Sequence, residues 1–170
     1  MKRLTLMRHA DAQWKDAQIA DFDRPLTRRG NSEAEAMSRR MAELSLVPTL
    51  LVNSSAVRAR QTAEIVAREL GVPPRHVRSE ESLYLAGATD ILGLIQGMGP
   101  RIAHLLVIGH NPGISELTQL LAPARGTADL TTGAICSLNF DARKWSNVGA
   151  DTLTGLQSES PPLGLFRMWA

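Results

Sequence analysis

A single cysteine, Cys136, stands in the whole chain, inside the apolar stretch "GAICSLNF". No internal disulfide and no thiolate metal site can be built from it, which fits a reducing compartment. Long apolar runs are also missing: no window approaches the roughly eighteen residues of a membrane span, and the opening "KRLTLM" is too short an apolar stretch for a secretory signal. The expectation is a soluble, cytoplasmic protein with no membrane partner. Lysine is scarce, with three (Lys2, Lys15, Lys144) among 19 basic residues, and no run of five or six like charges occurs. With a formal net charge of only +2, a nucleic-acid stripe is not expected either. Finally, there is no evident carboxylate cluster to hold magnesium, so neither a metal nor another cofactor is expected.

What the chain does have is 170 residues with 44% hydrophobic content, enough for one domain, residues 1–170, around a single sizeable core. "RLTLM" (Arg3 to Met7), "TLLVNS" (Thr49 to Ser54) and "HLLVIGH" (His104 to His110) are short apolar runs ending in polar or glycine residues, as strands buried on both faces do. Each precedes a helical pattern. "PLTRRGNSEAEAMSRRMAEL" carries Ala34, Met37, Met41 and Leu44 at helical spacing, with Thr27 or Ser32 as cap. "AVRARQTAEIVAREL" repeats the period and is stopped by Gly71, Pro73 and Pro74. "TDILGLIQGM" and "ISELTQLLA" read as two shorter helices, and "GAICSLNF" alternates like a strand. The last thirty or so residues are interrupted by Gly, Ser and Pro. Strands alternating with helices imply an α/β layered sheet with crossover helices.

Ligands of such sheets collect beyond the carboxyl ends of the strands. That rule brings His9, the "SSAVRAR" turn and His110 to one rim. If the rim holds a phosphoryl group, fixed cations must surround its oxygens. Arg8 and Arg58 suit the task because a guanidinium keeps its charge and offers a planar fork of donors. A protonated His110 would add a third donor, and Ser54 or Ser55 could cap the helix opening at Ala56 or donate to phosphate oxygens. His9 would be the nucleophile, with one ring nitrogen free and the other held as a donor to a backbone carbonyl. Taken singly, these residues have plainer explanations. An Arg-His pair can be a surface loop, Arg58 with Arg60 and Arg68 a solvated helix face, and His110 a turn histidine. His76 and His104 are read as structural.

Together, "LMRHADA", "RPLTRRG", "NSSAVRARQTAEIVA", "LYLAGATDIL", "LVIGHNPGISEL" and "LTTGAICSLNFD" resemble the histidine phosphatase superfamily, and within it the short SixA-type phosphohistidine phosphatases. The resemblance runs from Lys2 to about Trp145. It implies a phosphoglycerate mutase-like three-layer αβα sandwich with a mostly parallel central sheet and one antiparallel strand. It also implies His9 as the phosphorylated histidine, Arg8 and Arg58 as phosphate clamps and His110 as the second pocket histidine.

Two departures from the family pattern bear on the leaving group. Ala10 and Asp11 follow the Arg-His pair where many members have Gly and then Glu or Gln. Tyr84 follows Leu83 where mutase-like branches place a proton-donating glutamate. Glu81, Glu80 and Asp11 are the carboxylates available as general acid. A phosphohistidine substrate can dispense with one, because it protonates on its other ring nitrogen and leaves as neutral imidazole. The expected activity is therefore metal-independent hydrolysis of protein phosphohistidine through a phospho-His9 intermediate. The alternatives are a small-molecule phosphomonoesterase, or a phosphoprotein-binding module without turnover. Arg28, Arg29, Arg39 and Arg40 could steer an acidic partner or simply be a solvated face. Leu165, Phe166, Met168 and Trp169 of the tail are expected to pack back on the domain.

Overall fold

The computed structural model describes residues 1–14 and 16–162; the tail side chains named above lie outside them. The chain runs β1 (Lys2–Arg8), α1 (Arg28–Glu43), β2 (Leu50–Ser54), α2 (Val57–Leu70), β3 (Val77–Glu80), α3 (Ala88–Gln96), β4 (His104–Gly109), α4 (Gly113–Leu121), β5 (Ile135–Phe140) and β6 (Leu153–Glu159). The six strands form one sheet in the order β3-β2-β4-β1-β5-β6. β3, β2, β4 and β1 pair in parallel, while β5 is antiparallel to both β1 and β6. Among the described residues β5 is thus the one strand that runs against the others, as the resemblance implied. β6 was not expected. It is an edge strand with no fully buried residue, so it lacks the apolar signature by which the inner strands are recognised.

Alternation along the central strands divides the core into two apolar layers. Leu4 and Leu6 of β1 with Leu105 and Val107 of β4 face Ile91 and Ile95 of α3 and Ile114, Leu117 and Leu121 of α4. Met7, Leu106 and Ile108 face the other way, onto Met37 and Met41 of α1 and Ala59, Ala63 and Val66 of α2. All six residues of β4 are buried, which is why its sequence reads as an unbroken apolar run. Each such side chain contributes on the order of 1.5–3 kcal/mol through burial. The outcome is a sheet between two helical layers.

Local signals fix the helix ends. Thr27, not Ser32, caps α1, its Oγ1 accepting from the Gly30 backbone N–H at 3.0 Å. Gly71 ends α2 in the left-handed conformation, with φ of 67°. The parallel register pairs Arg8 with Gly109 and Asn53 with Ile108, so β1, β2 and β4 end on the same edge of the sheet. At the opposite end His104 pairs with Arg3. Its imidazole is buried between Thr5 Oγ1 at 2.8 Å and the Val47 carbonyl at 3.2 Å, which fits the structural reading of that residue.

Two glycines let loops approach helices at the carboxyl edge. A Cβ on Gly30 would collide with the carbonyl oxygen of Asp11, and one on Gly113 with that of Ala86. Bare backbone at these points seats the loop after β1 on α1, and the loop after β3 on α4.

Candidate active site

At the carboxyl edge the backbone of β1 continues its pairing one residue further, with His9 N–H donating to the Gly109 carbonyl at 3.0 Å. Gly133, at φ of 71°, directs its N–H to the carbonyls of Arg8 and His9, both at 3.2 Å. Thr62 of α2 completes the clamp. Its hydroxyl accepts from Ala10 N–H at 3.1 Å and donates to the Arg58 carbonyl at 2.7 Å. Beside this fixed turn lies a cavity of about 470 Å³, whose walls include Arg8, His9, Asp21, Arg58, Tyr84 and His110. The first, second and fourth strands therefore deliver their expected residues to one place.

The His9 ring is buried and its two nitrogens are differentiated. Nδ1 lies 2.8 Å from the Ala10 carbonyl, which can only accept, so Nδ1 carries the hydrogen and Nε2 the lone pair. Arg58 Nε donates to that Nε2 at 3.3 Å. Burial pushes the His9 pKa down to about 3, with the charges of Arg58 and Arg8 acting in the same direction. At neutral pH the imidazole is uncharged, with its lone pair on Nε2.

The cations are oriented by the chain around them. Arg8 Nη1 donates to the Leu130 carbonyl at 3.2 Å; Asn111 Nδ2 reaches the same oxygen at 2.9 Å, while Ser115 Oγ links Asn111 to the Leu130 N–H. Glu33 of α1, fully buried, supplies a counter-charge, and burial lifts its carboxyl pKa while the N–H of Asp11, Thr132 Oγ1 and Arg29 hold it. Arg58 is 2% exposed. Besides His9 it grips the Asp21 carbonyl through Nη1 at 2.6 Å and the Asp21 carboxylate through Nη2 at 3.2 Å. The His110 ring centroid stands 5.1 Å from that of His9, and burial, followed by the charge of Arg58, takes its pKa down to about 4.

Two nitrogens of cavity residues, Arg8 Nε and His110 Nδ1, are buried without a protein partner. Leaving a buried polar group unpaired costs about 1–3 kcal/mol. An anion bearing several acceptor oxygens would recover that cost.

The remaining sequence-derived candidates are redistributed. Ser54 does not line the cavity; its fully buried Oγ lies 2.7 Å from His110 Nε2 and accepts from the Ala56 N–H at 3.3 Å. It supports His110, and of the two roles expected of it the contact with the Ala56 N–H is the one formed within the protein. Asp11 does line the cavity, but its Oδ2 accepts from Thr27 Oγ1 at 2.6 Å. Glu81 is exposed and off the cavity wall, and Glu80 is paired with Arg78 at 2.7 Å. The short helical turn over Glu81–Leu83 directs Tyr84, not Glu81, into the site.

Asp21 and Glu33 were not anticipated, and Tyr84 only as a departure from the family pattern. Asp21 opens a three-residue 3-10 turn (Asp21–Asp23) and meets Tyr84 across 63 residues of sequence. Local pattern carries no signal for such a pair; Glu33 looked like one more polar residue on an amphipathic helix. Among the described residues no group of three or more His, Cys, Asp or Glu side chains could hold a metal ion, and no helix is long and apolar enough to cross a membrane.

Comparison with known proteins bears on the family and the fold. Residues 4–81 match the family model of the histidine phosphatase superfamily (branch 1). An uncharacterized protein of Mycobacterium tuberculosis is 38% identical over 122 residues, covering 71% of this chain and 73% of that protein. A chloroplastic protein of Arabidopsis thaliana is 30% identical over 131 residues; the match covers 72% of this chain and 60% of the longer relative. The phosphohistidine phosphatase SixA of Escherichia coli is 29% identical over 137 residues, 80% of this chain and 84% of SixA. The solved structure of the protein histidine phosphatase SixA complexed with tungstate superposes with a TM-score of 0.78 at 27% identity, covering 94% of this chain and 97% of that one.

Proposed function

Since the chain belongs to the histidine phosphatase superfamily, we propose that it is a cytoplasmic phosphohistidine phosphatase that works through a covalent phosphoryl intermediate on His9. The observation that carries the reading is the buried His9 imidazole, with Nδ1–H spent on the Ala10 carbonyl and Nε2 left as the lone-pair nitrogen among cationic side chains.

In this mechanism Nε2 attacks phosphorus in line with the departing group. Arg58 turns its Nε–H from Nε2 to a phosphoryl oxygen as the substrate enters. Arg8 donates through its otherwise unpartnered Nε. His110, neutral in the free enzyme, becomes protonated beside the dianion and donates through Nδ1. These groups are held before the reaction begins, so the charge spreading over the phosphoryl oxygens meets preorganised donors. Water then cleaves the P–N bond of phospho-His9, releasing inorganic phosphate.

The carboxylates support phosphohistidine as the substrate class. An alkyl phosphate expels an alkoxide and needs a proton delivered to it. Asp11 is bonded to Thr27, and Asp21 is bonded to Tyr84, Arg24 and Arg58. Neither is placed as a protonated acid. A phosphohistidine brings its own proton on the second ring nitrogen. The resemblance to SixA supports the same choice, and a cavity mouth carrying Trp14, 92% exposed, and Leu85, 63% exposed, can receive a phosphoryl group presented on a protein surface. One observation favours the small-molecule phosphomonoesterase instead: 470 Å³ would also enclose a small ester.

The test is phosphate release by wild type and His9→Ala from a phosphohistidine-bearing protein and from p-nitrophenyl phosphate, with chelator present. The proposal expects strong preference for the phosphoprotein and no turnover by His9→Ala. Release from p-nitrophenyl phosphate alone would favour the phosphomonoesterase, and binding without release from either would point to a non-catalytic module.

A further inference from the structure

Tyr84 enters the cavity with its proton already committed. Its hydroxyl donates to Asp21 Oδ2 at 2.6 Å. The same oxygen accepts from Arg58 Nη2 at 3.2 Å, while Oδ1 takes Arg24 Nε and Nη2, each at 3.0 Å. The Tyr84 bond, reinforced by Arg58, keeps the Asp21 carboxyl ionised, its pKa down to about 2. That bond also raises the pKa of the phenol. The Tyr84 hydrogen is spent on Asp21, and the ionised Asp21 carboxylate has none to give.

A phenol oxygen whose hydrogen is spent still has lone pairs to offer. The Tyr84 ring is held in place, edge-on to Phe22 with centroids 5.0 Å apart and edge-on to His110 at 5.6 Å. Asp21 is tied to the nucleophile's own partner, since Arg58 touches His9 Nε2 and the Asp21 carboxylate at once. Where an alkyl phosphatase would need a donor, this wall therefore presents an acceptor.

We propose that Tyr84 Oη, oriented by Asp21, accepts a hydrogen bond from the ring N–H of a protonated phosphoimidazole, so that the cavity selects phosphohistidine over phosphate esters. The assignment rests on the phosphohistidine reading above and deepens it. As His9 Nε2 forms its bond to phosphorus, the substrate P–N bond breaks and its electron pair passes to the substrate ring nitrogen. The imidazolium becomes neutral imidazole and keeps the proton it brought. No proton of the enzyme is consumed in this step. Tyr84 touches the leaving group, and Asp21 acts through Tyr84 as a positioning residue.

The experiment compares kcat/KM for a histidine-phosphorylated peptide and for p-nitrophenyl phosphate, whose leaving group has no N–H, in wild type, Tyr84→Phe and Asp21→Asn. The expected result is a fall of about tenfold to a hundredfold in the phosphohistidine-to-ester ratio for Tyr84→Phe, the range for one hydrogen bond to a charged group. Asp21→Asn keeps the shape but removes the charge, and lowers the same ratio by about threefold or more. A merely structural role would depress both substrates together, so a ratio within about twofold of wild type in Tyr84→Phe overturns the assignment, whatever the absolute rates. A wild type inert toward the phosphopeptide but active on the ester overturns the phosphohistidine reading itself, and this inference with it.

Discussion

Acidification should unfold this protein through its buried histidines before most of its carboxylates are protonated. His9 is held down to about 3, and His104 and His110 to about 4, in each case chiefly by burial. In the unfolded chain each titrates near 6.5. With depressed folded values, the unfolded state takes up protons first, so the stability they confer is complete above about pH 6.5 and is lost as pH falls toward 4. Near pH 5 the unfolded chain carries nearly three protons that the folded one does not. At about 1.4 kcal/mol per pH unit for each, stability falls by at most about 4 kcal/mol per unit. Glu33 works in the opposite sense, because burial raises its folded pKa and the folded state takes up its proton first; it offsets up to about 1.4 kcal/mol per unit. Against a usual total of about 5–15 kcal/mol, the remainder is enough to bring acid unfolding to about pH 4–5. Urea unfolding followed by circular dichroism from pH 7.5 to 4.5 gives the slope directly. His104→Gln, at the sheet end away from the cavity, should remove about a third of the histidine contribution. A wild-type slope worth less than one proton, or a His104→Gln slope equal to wild type, would refute the reasoning.

Arg58→Ala removes the donor to His9 Nε2 and both contacts to Asp21; kcat/KM for any phosphoryl substrate should fall by about 2 kcal/mol or more, roughly thirtyfold, and wild-type kinetics would take the residue out of the phosphoryl site. Gly30→Ala drives a Cβ into the Asp11 carbonyl, so the loop after His9 must shift. The urea midpoint should drop by the equivalent of about 1–3 kcal/mol at constant m-value, with activity falling too, whereas an unchanged midpoint would mean the loop does not press on α1.

The parts of this molecule that could be read from sequence are those whose signal is local. β1, β2 and β4 are central strands buried on both faces, so each is a continuous apolar run, and the residues that follow them, His9, Arg58 and His110, inherit their position from the sheet topology. Thr27 and Gly71 announce helix ends by their own backbone chemistry. β6 was illegible because its half-exposed pattern is no different from that of a loop. Asp21 and Tyr84 were illegible as a pair because their bond spans 63 residues, Asp21 sits on a turn of only three residues and Tyr84 follows another, too short for a periodic pattern to point either inward. Ser54 meets the Ala56 N–H, one of the two roles expected of it, while its contact with His110 was illegible because a strand end does not say which distant ring a hydroxyl reaches.

The seating of two loops on bare glycine backbone has a consequence for how such a site can change. His9, Arg8 and His110 stand on or beside the innermost strands, whereas Trp14, Asp21, Tyr84 and Leu85 all belong to the two segments that Gly30 and Gly113 receive. The division puts the two histidines and the outer wall of the cavity on different elements, joined at Asp21, whose carbonyl and carboxylate hold Arg58. Residues along either loop other than Asp21 can be exchanged while His9 and the His110 beside it keep their registry, provided the two glycine contacts are left alone. Diversification of the outer wall would then be a matter of loop grafting on an unaltered sheet frame, and the glycines would mark the boundaries of the graft.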